Sequence, residues 1–239
     1  SAALLINDEI IAACQEERFT RKKFDNSFPI NSINFCLNKS DLNEKNIDYI
    51  VFYEDPELKL DRILKTNSIL EPFNFFKNYK ILNDWLRTKY NIEQYIYKYL
   101  PNFIGKIILS KHHFSHASST FYTSPFEKSA ILTIDGVGEW SSSSIGYGEN
   151  NNINILEEQK FPNSVGILYS AFTSYLGFKV LSGEYKLMGL APYGNPKYVD
   201  VIKNNIVKIN ENGSIILNQK FFKLLNDKKI YNNYFDNLF

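Results

Sequence analysis

The sequence predicts an α/β fold made of two successive series, each led by a β-hairpin and continued by helices and strands. Two features support this. Short β-like runs bracket a turn twice, once at Asn7-Asp8 and once at Asp135-Gly136-Val137-Gly138-Glu139. Between and after them lie segments whose apolar residues recur at helical spacing. A duplicated α/β architecture accounts for both.

Taken in order, residues 2–6 and 9–14 form the first hairpin, with Asn7 and Asp8 supplying the positive-φ positions of a tight turn. The charged stretch 15–25 reads as a solvated strand end and loop. Its functional alternative is an anion-facing loop in which Arg18, Arg21 or Lys22 meets a phosphate or carboxylate. After Pro29, residues Ile30, Ile33 and Leu37 lie on one helical face. Residues 47–53 read as a strand that runs into Glu54-Asp55-Pro56. The stretch from about 55 to 102 is rich in aromatics and lysines, from Phe73, Phe75 and Phe76 to Tyr99. Helical spacing at Ile81, Leu82, Trp85 and Leu86 makes it a helical insertion packing a small core of its own. A strand at 104–109 feeds a helix that ends before Pro125, the joint between a first subdomain, 1–125, and a second, 126–239.

In the second series, 130–134 reads as a buried strand, 141–147 as a serine-rich strand and 153–161 as a third. A long apolar helix follows at 165–178, with Gly177 near its C-terminus. Residues 183–194 are dense in glycine and proline. They read as a shaped loop around short helical turns, whose glycines let backbone approach a ligand. The tail reads as helical at 199–207 and 220–225, with a short strand at 214–217. The sequence begins directly in a strand without Met and stops without a polar tail, which reads as a fragment truncated at both ends.

Composition narrows the class. Length, 239 residues, suits one large or two modest domains, and 44% hydrophobic with 22% charged content is ordinary for a globular chain. A net charge of +1 gives no electrostatic signal for nucleic acid or an anionic membrane, and neither is expected as a partner. No apolar run reaches the roughly 18 residues that span a bilayer, and no signal peptide is visible, so a cytoplasmic location is expected. Cys14 and Cys36 lie in apolar segments and are expected as buried free thiols.

All three histidines of the chain fall in Lys111-His112-His113-Phe114-Ser115-His116. On a helix, His112 and His116 stand one above the other at i,i+4, a spacing that lets two imidazoles bind one ion. His113 is rotated by about 100°, out of that shell. The strand at 130–134 delivers Asp135 to a glycine-rich turn. Two histidines and a carboxylate with open positions suit iron(II) or manganese, with zinc as a further option. The plain alternative is an interfacial histidine pair beside an ordinary Asp-Gly hairpin turn. In the turn 135–139 the glycines also leave backbone N–H groups for an oxyanion. No Walker loop, nucleophile elbow or Cys-x-x-Cys pair is present.

Three blocks carry a family resemblance. They are Glu16-Glu17-Arg18-Phe19-Thr20-Arg21-Lys22-Lys23, then the histidine segment with Ile134-Asp135-Gly136-Val137-Gly138-Glu139-Trp140, then Leu168-Tyr169-Ser170 through Gly183-Glu184-Tyr185-Lys186-Leu187-Met188-Gly189-Leu190-Ala191-Pro192-Tyr193-Gly194. Together they resemble the bacterial O-carbamoyltransferases that act on nodulation factors, cephamycins and aminoglycosides. The resemblance implies an actin-like, sugar-kinase-like (ASKHA) duplicated ATPase fold, and kinship with tRNA threonylcarbamoyl-transfer proteins. It implies a YrdC-like domain beyond the C-terminus that makes carbamoyl-adenylate from carbamoyl phosphate and ATP. The actin-like domain would then pass the carbamoyl group to a hydroxyl-bearing small molecule or glycan. His112, His116 and Asp135 would hold Fe(2+), with Mg(2+) accompanying ATP. Asp135, Gly136, Val137, Gly138, Glu139, Gly183, Glu184, Lys186 and Gly189 would face the nucleotide. The residues themselves add that Lys186 or Arg18 could neutralise developing charge, a surface salt bridge with Glu184 being the plain alternative for Lys186, and that His113 is a candidate base only if its helix faces the cleft. A homodimer is allowed. The competing readings are a tRNA threonylcarbamoyl-transfer-like protein and a non-catalytic nucleotide- or metal-binding module. A sugar kinase ranks last, because its chemistry needs no paired histidines.

Overall fold

A computed structural model describes residues 1–70, 75–86, 90–224 and 229–239, with backbone alone at 75–78, 81 and 84. Phe73 and Leu225, and the side chains of Phe75, Phe76 and Ile81, therefore lie outside the described residues. The chain is mixed α/β with small sheets, and it forms two compact units: Ser1–Phe52 with Ile81–Leu109, and Tyr53–Lys80 with Ser110–Phe239.

In the first unit, strands β1 (Ala2–Ile6) and β2 (Glu9–Cys14) pair antiparallel. Asn7 and Asp8 take φ of 48° and 69°, as a type I′ turn requires. The segment expected as a solvated loop is instead ordered. It holds a short helix α1 (Glu17–Thr20), and Glu16 is only 2% exposed. Helix α2 (Ile30–Lys39) packs on the hairpin and directs the buried Cys36 thiol at the carbonyls of Ala2 and Ala12. Cys14 is half-buried, and both thiols are free.

Strand β3 (Tyr49–Phe52) leads to helices α3 (Pro56–Leu70), α4 (Phe75–Leu86) and α5 (Ile92–Tyr99), and then to β4 (Lys106–Leu109), which pairs parallel with β3. The parallel pairing needs a long crossover, and the helices supply it. Among the described residues, helix α5 shares its core with neighbouring elements. Its Ile96, with Leu100 and Phe103, packs against Ile33, Ile50 and Ile107 of the surrounding elements.

In the second unit, helix α6 (His112–Phe121) lies on an antiparallel meander of β5 (Lys128–Ile134), β6 (Ser141–Glu149) and β7 (Asn152–Lys160). Ala117 and Phe121 pack on Ile131, Ile153 and Ile155. Strand β5 is therefore buried on one face only: Ile131 and Thr133 point to α6, while Leu132 and Ile134 are exposed. A side chain at Gly148 would stand 2.6 Å from the Phe121 ring, so β6 needs glycine there.

Helix α7 (Val165–Tyr175) stops short of 178 because Gly177 turns left-handed at φ 79° just past its end. Glycines and Pro192 of 183–194 shape helix α8 (Glu184–Leu190) and a single 3₁₀ turn (Ala191–Tyr193). Helix α9 (Val199–Asn205) ends early, because Val207 already belongs to β8 (Val207–Ile209), which pairs with β9 (Ile215–Leu217). The helix expected at 220–225 is one 3₁₀ turn (Gln219–Phe221) followed by a bridge from Phe222 to Tyr231. A last turn, α10 (Asn233–Asp236), buries Phe235 among Ile167, Ala171, Ile206, Leu217 and Phe222.

Candidate metal centre

Helix α6 begins at His112. Its N-cap residue, Lys111, offers no side-chain cap. The i,i+4 spacing puts the His112 and His116 rings 4.7 Å apart, with their Nε2 atoms at 3.1 Å. Across from them, β5 ends and Asp135 begins the turn to β6. Asp135 Oδ2 lies 2.8 Å from His112 Nε2 and 3.8 Å from His116 Nε2. One ligand atom from each of the three groups falls within 4.8 Å of the others.

The residues fit a divalent ion. Two nitrogens bound to one ion at about 2.1 Å, in a cis or tetrahedral arrangement, stand roughly 3.0–3.4 Å apart, and the histidine nitrogens already have that spacing. The Nδ1 of His112 is buried without a partner among the described residues, so the polar contacts of this ring are all on the Nε2 side. The hydrogen bond from His112 holds the Asp135 carboxyl down at about 2 against the upward push of burial, helped by the Gly136 N–H. Asp135 is therefore an anion at neutral pH.

The third histidine serves another purpose. His113 is 2% exposed, with Nδ1 at 2.6 Å from Thr133 Oγ1 and Nε2 at 2.8 Å from the Ser141 carbonyl. Both ring nitrogens are engaged, and burial lowers its pKa below the ordinary imidazole value. The ring bolts α6 to the sheet and has no nitrogen left to take a proton from an acceptor.

The glycine turn is closed by its own bonds. The Gly136 N–H donates to Asp135 Oδ1 at 2.7 Å and the Gly138 N–H to the Ser141 carbonyl at 2.8 Å, so these two groups point inward rather than to an oxyanion. Val137 is half-buried. Gly138 has a steric reason: a Cβ there would lie 2.9 Å from His112 Cβ and Cδ2. Glu139 is 6% exposed and bonds backbone rather than facing solvent. Behind it, helix α3 brings charge that no sequence pattern announced: Lys59 bonds buried Glu54, and the Arg62 guanidinium lies over the Phe161 ring at 5.4 Å.

In the 183–194 segment, Gly183 precedes α8 where a Cβ would meet the Lys179 carbonyl at 2.7 Å, whereas Gly189 has open space around it. The Glu184 carboxylate accepts from Ser170 Oγ and from the Leu181 and Gly183 N–H groups. Burial pushes its pKa up, but these bonds bring it below the ordinary value. The Lys186 ammonium lies 5.9 Å over the Tyr185 ring. Arg18 is exposed on α1 of the other unit.

An α/β domain presenting two histidines and an aspartate from a helix and a hairpin turn defines a candidate metal-binding class. The sequence matches the family described as Carbamoyltransferase N-terminus over residues 1–239, and the chain belongs to that family. An uncharacterized protein of Synechocystis sp. is 44% identical over 247 residues, covering 100% of this chain and 40% of that protein. The nodulation protein NolNO of Sinorhizobium fredii is 36% identical over 200 residues, 82% of this chain and 28% of its own length. An uncharacterized Methanocaldococcus jannaschii protein is 28% identical over 208 residues, 87% of this chain and 34% of its own. This chain thus spans well under half the length of these relatives.

Proposed function

We propose that this domain is the transfer part of an O-carbamoyltransferase, and that its histidine pair and Asp135 hold iron(II). The convergence of these three ligand atoms within 4.8 Å, in a chain of the Carbamoyltransferase N-terminus family, carries the reading. An actin-like arrangement, ATP with carbamoyl phosphate as donors, and a cytoplasmic setting belong to the same proposal. Among the described residues no helix is long and apolar enough to cross a membrane.

The net reaction joins the acceptor hydroxyl oxygen to the carbamoyl carbon of carbamoyl-adenylate. The bond from that carbon to the phosphate oxygen breaks, AMP leaves, and the hydroxyl proton is released. A bound metal ion supplies Lewis-acid polarisation for such chemistry. Asp135, charged at neutral pH, would offset part of a bound ion's charge. His113 keeps α6 fixed so that His112 and His116 face the same point. Glu184, charged and bonded to three donors, shapes the start of α8, whose exposed residues would meet the adenylate.

The test uses the full-length protein purified without oxygen. Elemental analysis is expected to find about one iron per chain, lost in His112→Ala and His116→Ala. With carbamoyl phosphate, ATP and a panel of hydroxyl acceptors, the wild type is expected to form a carbamate ester. Both variants are expected to lose at least about a hundredfold in rate. A folded wild type with no metal, or variants with unchanged metal content, would remove the reading.

A further inference from the structure

We infer that Glu139 is a positioning residue, which fixes His112 by holding the first backbone N–H of helix α6. This rests on the metal reading above and deepens it. The first N–H groups of any helix have no partner within the helix. In α6 the N-cap residue supplies no side-chain acceptor, and a carboxylate 27 residues further on takes its place. Glu139 Oε1 accepts the His112 N–H at 2.8 Å and, with the same atom, the Asp55 N–H at 2.8 Å.

The surroundings of Glu139 hold it in place. The residue is 6% exposed, and the half-buried Arg62 is close enough to interact with both Glu54 and Glu139. The turn that carries Glu139 grips His112 in two further ways. Asp135 bonds its Nε2, and Gly138 leaves the space its ring occupies. Ring, backbone and ligand partner are thus fixed by one five-residue turn. Glu139 touches no reacting atom in this arrangement. It acts through His112, by fixing the backbone that carries the ring.

The experiment compares full-length wild type with Glu139→Ala and Glu139→Gln. The first readout is anaerobic cobalt(II) titration, followed by the visible absorption of the bound ion. The second is residue-resolved amide hydrogen exchange. In Glu139→Ala, cobalt affinity is expected to fall about 10–100-fold. Exchange at the His112 and Asp55 amides is expected to rise while the amides of residues 116–121 stay protected. General destabilisation would expose the whole helix and would not give that pattern. Gln keeps an acceptor oxygen of the same reach, so it is expected to retain both protections and to bind cobalt more tightly than the Ala variant. Wild-type affinity and wild-type exchange in Glu139→Ala would overturn the assignment, as would equal losses in both variants. If the wild type takes up no cobalt, the metal reading fails by itself. The exchange of the His112 amide then still decides whether Glu139 holds it.

Discussion

At Gly138 a single methyl group decides whether His112 keeps its place. The Cβ of an alanine would sit 2.9 Å from His112 Cβ and Cδ2, a distance real contacts do not sustain. Either the ring swings away from Asp135 or the turn opens. Gly138→Ala is therefore expected to lower stability by about 1–3 kcal/mol, as overpacking does, and to weaken cobalt binding in the same protein. Thermal melts and metal titration check the two effects separately. An unchanged cobalt affinity would show that the ring has room the contact distances deny. The histidine pair was legible at this scale, because i,i+4 spacing is a local property of a helix. The same 100° per residue that aligns His112 with His116 turns His113 to the sheet. Its partners Thr133 and Ser141 lie 20 and 28 residues on, and no local pattern names them.

Among the elements, α2 shows how a charged stretch can be misread. Charge runs are usually solvated, and 15–25 has the composition of a loop. Yet the Glu16 carboxylate accepts four hydrogen bonds at the start of α2, from the N–H and side chain of Asn31 and from the N–H and hydroxyl of Ser32. The cap comes from outside the helix, 15 and 16 residues upstream, so the usual N-cap signature is missing from the sequence. Glu16→Ala is expected to cost about 2–4 kcal/mol, read from urea midpoints, because it leaves buried donors unmet. The pH dependence follows. Burial pushes the Glu16 carboxyl up, but the bonds from Ser32 and Asn31 outweigh it and leave its pKa below the ordinary carboxyl value. A carboxyl lowered on folding adds stability above the unfolded pKa and loses it as pH falls through the folded one. Between pH 7 and about pH 3, Glu16→Gln should therefore lose less stability than wild type. A Gln variant with the full acid sensitivity would place that sensitivity elsewhere.

On the scale of the whole molecule, the α/β class and most strands and helices were legible from periodicity and turn chemistry. How they group was not. Helix α5 reads as part of an insertion, but its Ile96 shares a core with residues of α2, β3 and β4. Glu139 bonds backbone 27 and 84 residues upstream, and only the folded chain brings those partners together. Because the three ligand groups meet only in the fold, metal binding should stabilise the folded state by mass action. Cobalt(II) at about a hundred times its dissociation constant is expected to add about 2.7 kcal/mol, seen as a raised melting temperature in wild type and absent in His112→Ala. An equal rise in the variant would assign the effect to another site.

Trp140 follows Glu139 directly and is one of two tryptophans in the chain. Its indole N–H donates to Asp61 Oδ2 at 3.2 Å, and the Lys65 ammonium stands 5.9 Å over its ring. The domain thus carries a fluorophore of its own beside the turn that grips His112. With Trp85 replaced by Phe, emission from this domain becomes an optical gauge of that turn. A bound paramagnetic ion would quench it, and a turn that lets go of the helix would shift its colour, so occupancy and grip can be followed without any added label.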